Sequence, residues 1–243
     1  MRAPLATEAL LLRASDRGED DRLLSILSPE LGRVPVLARH ARGSHRRFGA
    51  ALQPFRRFEA ALRPGDGGLF FLDGASVLEL PLGPDAGLDV LAAAWLCLDL
   101  GHAFSVAGQA QPAFFELLLS GLRRLGLGKE MPVSVRQSVL WGTLAQAGWV
   151  PDLERCVSCA STGHWNRMSL DTARGGLLCE LCLSPSEASL PEGTAEHWAA
   201  LAKGLPVGAG PVRAEEALLR WTEHHAGRAF SSAALLGLGT VTP

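Results

Sequence analysis

The N-terminal third of the chain alternates short apolar runs with polar breaks. The runs "ALLLR" (9–13) and "RLLSIL" (22–27) are separated by the polar "ASDRGEDD". A turn with Pro and Gly at its ends, "SPELGR" (28–33), leads into "VPVLARHAR". "LQPFRRFEAALR" follows and then, after the break "PGDGG" (64–68), "LFFLDGASVLEL". Five strand-length runs in about eighty residues predict a small Greek-key barrel, although periodicity alone leaves strand and short apolar helix open.

The rhythm changes after the Pro/Gly-rich "PLGPDAG" (81–87). "LDVLAAAWLCLDLGHAF" is a long apolar helix, and "PAFFELLLSGLRRLG" opens on Pro112, where a first helical turn tolerates proline. "VSVRQSVLWGTLAQAGW" sets Leu140, Leu144 and Ala147 on one face, the stripe of a packed core. Residues 150–190 interrupt with four cysteines among Gly, Ser and Pro. "TAEHWAALAKG" and "RAEEALLRWTEHHAGRAF" then predict two amphipathic helices packing back against residues 88–149. The expected organisation is a mixed α+β protein in three parts. These are a strand domain over 1–80, a helical domain over 81–149 and 191–243, and an inserted module over 150–190. No repeat of solenoid period is present.

Cysteine spacing gives the most specific chemical signal. "CVSC" (156–159) and "CELC" (179–182) are two C-x₂-C pairs separated by nineteen residues. Each pair offers two sulfurs from one tight turn, and a hairpin between them can bring four thiolates round a tetrahedral Zn²⁺. A redox pair, two disulfides or four unrelated thiols are the competing readings. A Cys₄ cage leaves no coordination position for water, so the zinc at Cys156, Cys159, Cys179 and Cys182 is expected to be structural. His164, between the pairs, is the alternative ligand. The zinc-deaminase pattern is absent, because neither pair follows Pro and no H-x-E element precedes them. Cys97 falls in an apolar helical run and reads as a small buried hydrophobe.

Composition narrows the class. With 243 residues and 47% hydrophobic content, the chain can bury a substantial core. The N-terminus lacks an apolar signal core and cleavage site, and "VLAAAWLCL" between Asp89 and Asp99 is too short to span a bilayer. A cytoplasmic, nucleoid-associated protein with no membrane partner is expected. No G-x₄-G-K-[ST] occurs; "RLGLGKE" (124–130) has Glu after the Lys, and Arg123 where the first Gly belongs. H-E-x-x-H and G-x-S-x-G are also missing. His224 and His225 point about 100° apart on a helix and make a poor metal pair. A binding protein without nucleotide cofactor or catalytic residues is the better reading.

Charge then points to a partner. Residues 33–63 hold eight arginines and one acid, Glu59, a surplus of seven positive charges. The whole chain carries −2, so the remainder totals −9. In a strand from Arg33, Arg33 and Arg39 share one parity and Val36 the other. Arg42, Arg46 and Arg47 follow in "RGSHRR", a loop able to track a phosphate backbone, with Arg56 and Arg57 beyond it. Phe48, Phe55 and Phe58 stand among them as either stacking platform or barrel core. A basic groove on a small barrel suits sequence-tolerant nucleic-acid binding. The alternative is a zinc-ribbon scaffold whose basic patch docks an acidic protein partner.

In combination these parts resemble the RecO family of bacterial DNA repair proteins. The opening "LLLRASDRGEDDRLLSILSPELGRV" places Arg13, Glu19, Leu23, Leu24, Leu27, Gly32 and Arg33 at the family's positions. "HARGSHRR" loosely follows its Gly-Ala-Arg step, "ALQPF" (51–55) opens the next strand, and "LLRWTEHHAGRAF" closes the chain. Two features depart from the family: the acidic "SDRGEDD" replaces an aromatic in the first loop, and Arg stands at the usual Lys positions. The second change preserves phosphate recognition, because guanidinium binds phosphate bidentately. The resemblance implies an OB-fold barrel, a helical domain and a zinc module. It also implies binding of single- and double-stranded DNA, annealing without ATP, and cooperation with RecR and single-stranded-DNA-binding protein in loading recombinase. That partner's acidic tail would find an apolar helical groove flanked by cations, for which Arg123 and Arg124 are the candidates.

Overall fold

A computed structural model describes residues 4–163, 165–184 and 189–236. Two compact units, 1–130 and 131–243, divide the chain. In the first, strands β1 (Leu5–Arg17), β2 (Asp21–Ser28), β3 (Gly32–Ala38), β4 (Arg57–Pro64) and β5 (Phe70–Glu79) form a closed barrel in the order β1-β2-β3-β5-β4. All pairings are antiparallel except β3 with β5, which run parallel through Val36–Phe70 and Leu37–Phe71. This is the five-stranded OB topology. The first strand serves two neighbours: Leu5–Leu10 pairs with β4, and Leu10–Arg17 with β2. A register shift between Leu11 and Arg13 provides the bend that this double duty requires.

"ALLLR" is buried on both sides of the strand. Ala9 and Leu11 face the barrel interior with Leu24, Ile26, Val34, Val36, Phe58, Ala60, Leu62 and Leu72. Leu10 and Leu12 lie outside that interior and are nevertheless buried. Helix α2, which follows the barrel at Leu88–Phe104, covers this face closely. A Cβ built on Gly101 would stand 2.7 Å from Leu12 Cδ2, so the helix approaches only because that residue is glycine. At Gly32, φ is +64° and a Cβ would lie 2.2 Å from the Gln109 carbonyl oxygen. The β2–β3 turn therefore needs glycine for both its conformation and its contact.

Two sequence boundaries shift in the structure. The third strand ends at Ala38, not near Arg42, and a short helix α1 (His45–Phe48) occupies part of the expected "RGSHRR" loop. The fourth strand begins at Arg57 instead of Leu52. Phe48, Ala51 and Leu52 are buried in the barrel core, so this apolar segment plugs the barrel and does not extend its sheet.

Helix α3 (Pro112–Leu127) follows α2 in the same unit, opening on its proline and closing on Gly128 in the left-handed region. The second unit holds α4 (Pro132–Ala147), the hairpin of β6 (Met168–Asp171) and β7 (Gly176–Cys179), α5 (Thr194–Ala202), α6 (Val212–Ala226) and α7 (Ser231–Leu235). Leu140 and Leu144 are buried, whereas Ala147 in the last turn is exposed. Helices α5 and α6 pack on α4, and Arg136 makes a buried bidentate pair with Glu215 at 2.7 and 3.0 Å. Among the described residues no helix is long and apolar enough to cross a membrane.

Candidate functional site

The four cysteines converge through two knuckles and a hairpin. In the first knuckle, Ala160 N–H donates to the Cys156 carbonyl at 2.9 Å, with Ala160 at φ +60°. The second is closed by N–H groups of Cys182 and Leu183 on the Cys179 carbonyl, at 3.0 and 3.1 Å. The hairpin turn is fixed by Asp171, whose Oδ1 accepts from the N–H groups of Ala173 and Arg174. Val157 N–H donates to the Leu177 carbonyl at 2.8 Å and ties the first knuckle to β7. Cys179, at the end of β7 and paired with Met168, opens the second knuckle, so the tie between Val157 and Leu177 sets the two knuckles side by side.

The result is four ligand atoms all within 4.8 Å of one another, with Cys159 Sγ and Cys179 Sγ 3.7 Å apart. A tetrahedral site with Zn–S bonds of about 2.3 Å has sulfur–sulfur edges of about 3.8 Å. The cage therefore fits zinc by both geometry and donor type. Cys179 N–H points at Cys156 Sγ at 3.4 Å, and the Ser161 hydroxyl is 3.2 Å from Cys159 Sγ. Burial opposes ionisation of Cys156, but the N–H groups of Cys159, Cys179 and Ser158 bring its thiol down to about 6. The neighbouring Cys159 pushes Cys182 up to about 12. Thiolates this close repel, and a divalent cation is what lets all four ionise together. His164 lies outside the described residues. Cys97 is buried and desolvation pushes its thiol up to about 12, which makes it inert.

The arginines of the basic stretch separate into distinct environments. Arg33 donates to the His102 carbonyl at 3.0 Å, in the last turn of α2, where a cation is favoured by the helix dipole. Arg57 is held by Glu8 through two bonds of 3.1 and 2.5 Å and by Glu79 at 3.3 Å. Arg56 donates to the Ala50 carbonyl at 2.7 Å. Arg42 meets the acidic β1–β2 turn: it donates to the Glu19 carbonyl at 3.1 Å and lies 4.0 Å from Asp16. His40 N–H also donates to Asp21 Oδ1 at 2.9 Å, so the acidic loop pins the chain leaving β3.

Arg39 and Arg47 differ from these. Arg47 donates to three carbonyls, those of Arg39, Leu72 and Asp73, at 3.3, 3.2 and 3.5 Å. Arg39 lies over the Phe71 ring, 4.7 Å from its centroid. Neither has a carboxylate partner among the described residues; Arg33 and Arg56 share that lack but are half-buried, whereas Arg39 and Arg47 are exposed charges left uncompensated. The side chain of Arg46, between them in sequence, is outside the description.

Arg123 and Arg124 are both paired. Arg123 grips Glu79 at 2.7 and 2.8 Å and Glu116 at 2.9 Å; Arg124 grips Glu130 at 2.8 and 2.6 Å. Arg123, and to a lesser degree Arg57, hold the Glu79 carboxyl below its ordinary value against the opposing effect of burial.

Residues 1–81 match the family model described as recombination protein O N terminal, and residues 87–233 the corresponding C-terminal model. The chain belongs to the RecO family. A DNA repair protein RecO from Anaeromyxobacter sp. (strain Fw109-5) is 34% identical over 243 residues, covering 94% of this chain and 93% of the relative. That of Myxococcus xanthus (strain DK1622) is 31% identical over 230 residues, with 93% of each chain covered. That of Nocardioides sp. (strain ATCC BAA-499 / JS614) is 33% identical over 187 residues, 75% of each.

Family membership does not reveal the aromatic geometry on the barrel. Phe48 and Phe58 are buried core, and Phe55 sits edge-on to Trp95 at 4.9 Å. Arg47 lies over the Phe48 ring, 4.8 Å from its centroid, but that ring is buried; the half-buried ring that meets two arginines, Arg39 and Arg63, is Phe71. Its signal in the sequence is the parity of "LFFLD", which turns one of two adjacent phenylalanines away from the core.

Proposed function

We propose that this chain is a recombination mediator that binds single- and double-stranded DNA on its barrel, anneals complementary strands without ATP, and helps load recombinase on strands coated by single-stranded-DNA-binding protein. The observation that carries this reading is the pair Arg39 and Arg47, two uncompensated cations on the outside of an OB barrel. Arg42, Arg46 and Arg56 of the same basic stretch join them as candidates from the sequence. Arg33 and Arg57 serve the fold, since their donors are turned to α2 and to two carboxylates. The relatives' name, DNA repair protein RecO, supports a repair role.

Annealing needs no catalytic residue. Base pairing is downhill once phosphate repulsion between strands is neutralised, and guanidinium contacts supply that neutralisation by releasing counterions. One Zn²⁺ on Cys156, Cys159, Cys179 and Cys182 holds its hairpin folded and stays out of this chemistry. RecR and single-stranded-DNA-binding protein are the expected partners. At Arg123 or Arg124 the acidic tail of the latter would exchange with Glu116 or Glu130, the more exposed of the resident acids.

The test is fluorescence anisotropy with labelled oligonucleotides across a salt series. Affinity should fall steeply with salt for every sequence. The Arg39→Glu, Arg47→Glu double variant should lose most binding while retaining zinc. If it binds DNA as the wild type does, the interface lies elsewhere.

A further inference from the structure

We propose that Phe71 is a stacking site for one unpaired nucleobase, through which the barrel distinguishes single-stranded from duplex DNA; this rests on the reading of the barrel as a nucleic-acid interface. At the start of β5, Leu72 is in the barrel interior and Phe70 packs against it. Alternation therefore sends Phe71 to the outer side, where the ring is half-buried. The Arg39 guanidinium lies 4.7 Å from the ring centroid and that of Arg63 lies 4.9 Å away. Arg47 reaches the carbonyls of Leu72 and Asp73, the next two residues of the strand. Among the described residues, Arg63 alone of these three cations has a carboxylate partner, Asp73, at 3.1 and 3.2 Å.

The ring is also held in place. A Cβ on Gly65 would stand 2.7 Å from Phe71 Cε2 and 3.3 Å from Cδ2, so the β4–β5 turn lies directly against one ring edge. Gly65 N–H donates to the Leu69 carbonyl at 2.8 Å and secures that turn. A rigid aromatic set among cations matches the two halves of a nucleotide, a flat base and a phosphate. Exposed cation–π contacts contribute less than base–aromatic stacking, so a base can replace a guanidinium on the ring and release it to a phosphate. In a duplex the bases are already stacked on each other and offer no face. Only an unpaired base fits.

The test uses the full chain with its zinc and three probes of equal length: an oligothymidylate, a strand of abasic sites and a duplex. They share the phosphate backbone and differ in available bases. Wild type should bind oligothymidylate about 5- to 10-fold more tightly than the abasic strand, the low end of the range for one stacked base. Phe71→Leu should bring that ratio close to one and leave duplex affinity unchanged, and Phe71→Trp should preserve the ratio. An unchanged ratio in Phe71→Leu overturns the proposal. So does an equal loss for all three probes, which would make the ring a structural support for the arginines. Wild type that binds all three alike removes the stacking site only, whereas wild type that binds none removes the interface and the stacking site together.

Discussion

The barrel and the four-cysteine module solve the same problem by different means. The barrel closes round a continuous apolar core from Ala9 to Leu72, capped by Phe48, Ala51 and Leu52. The module's own cluster consists of Cys156, Leu178 and Cys179, edged by Trp165, Cys182 and Leu183. A segment this small cannot bury enough apolar surface to fold on that basis, and its four-cysteine cage is where a metal ion could take the place of the missing core. Arg57 helps tie β4 to β1 and β5, but the exposed Arg39 and Arg47 lie outside the barrel's apolar core. Their charge is consequently available for a ligand, while the module's polar chemistry is turned inward and used for folding.

The largest effect should come from breaking the module. Cys179→Ser removes a ligand of a site whose metal binding is worth on the order of 10 kcal/mol in small zinc domains. Metal analysis should show zinc lost, and limited proteolysis should open residues 150–190 while the barrel stays resistant. A variant that keeps its zinc and its protease pattern would show that the hairpin stands without the cage.

Phe58→Ala attacks the barrel instead. Phe58 is fully buried, and its truncation should lower unfolding stability by about 3–5 kcal/mol in a denaturant titration with zinc content unchanged. Simultaneous loss of zinc would mean that the two regions are not independent in stability.

A smaller effect separates the ion-pair network from both. Arg123 chiefly holds the Glu79 carboxyl below the unfolded value, so its contribution is present above that value and is lost as pH falls through the folded one. Stability of wild type should fall on acidification below about pH 4.5. Glu79→Gln should be less stable near neutral pH, by about 1 kcal/mol after screening, and flatter through the acid range. Parallel pH curves for the two proteins would assign the acid sensitivity elsewhere.

The smallest difference lies between two kinds of arginine. Arg47→Gln should reduce the log–log salt slope of DNA binding by about 0.7–0.9, as one lost phosphate contact does, whereas Arg57→Gln should leave the slope alone. Equal slopes in the two variants would remove the distinction drawn from their partners.

The longer helices α2 to α6 were legible because their signals are local, whereas α7 was not expected. Pro112 and Pro132 open α3 and α4, and Gly128 and Gly148 close them in the left-handed conformation. The cysteine cage was legible from spacing alone. The short helix α1 was not, because four residues carry no period, and its apolar continuation reads equally as strand. The fate of individual arginines was also hidden. Arg57 is neutralised by Glu8, 49 residues away and brought to it by the β1–β4 pairing that closes the barrel, and by Glu79, its cross-strand partner 22 residues on in β5. Phe71 was overlooked for the same reason: its neighbours Arg39 and Arg63 come from either side of a plug that sequence patterning reads as sheet.

The central claim is that uncompensated arginines on the barrel bring DNA strands together. The most direct measurement is the annealing rate of two complementary oligonucleotides, without nucleotide, with wild type and with the Arg39→Glu, Arg47→Glu variant at equal zinc content. Wild type should accelerate annealing well above the spontaneous rate, and the folded variant should return it close to that rate. A zinc-loaded, folded variant that anneals as fast as wild type would contradict the account.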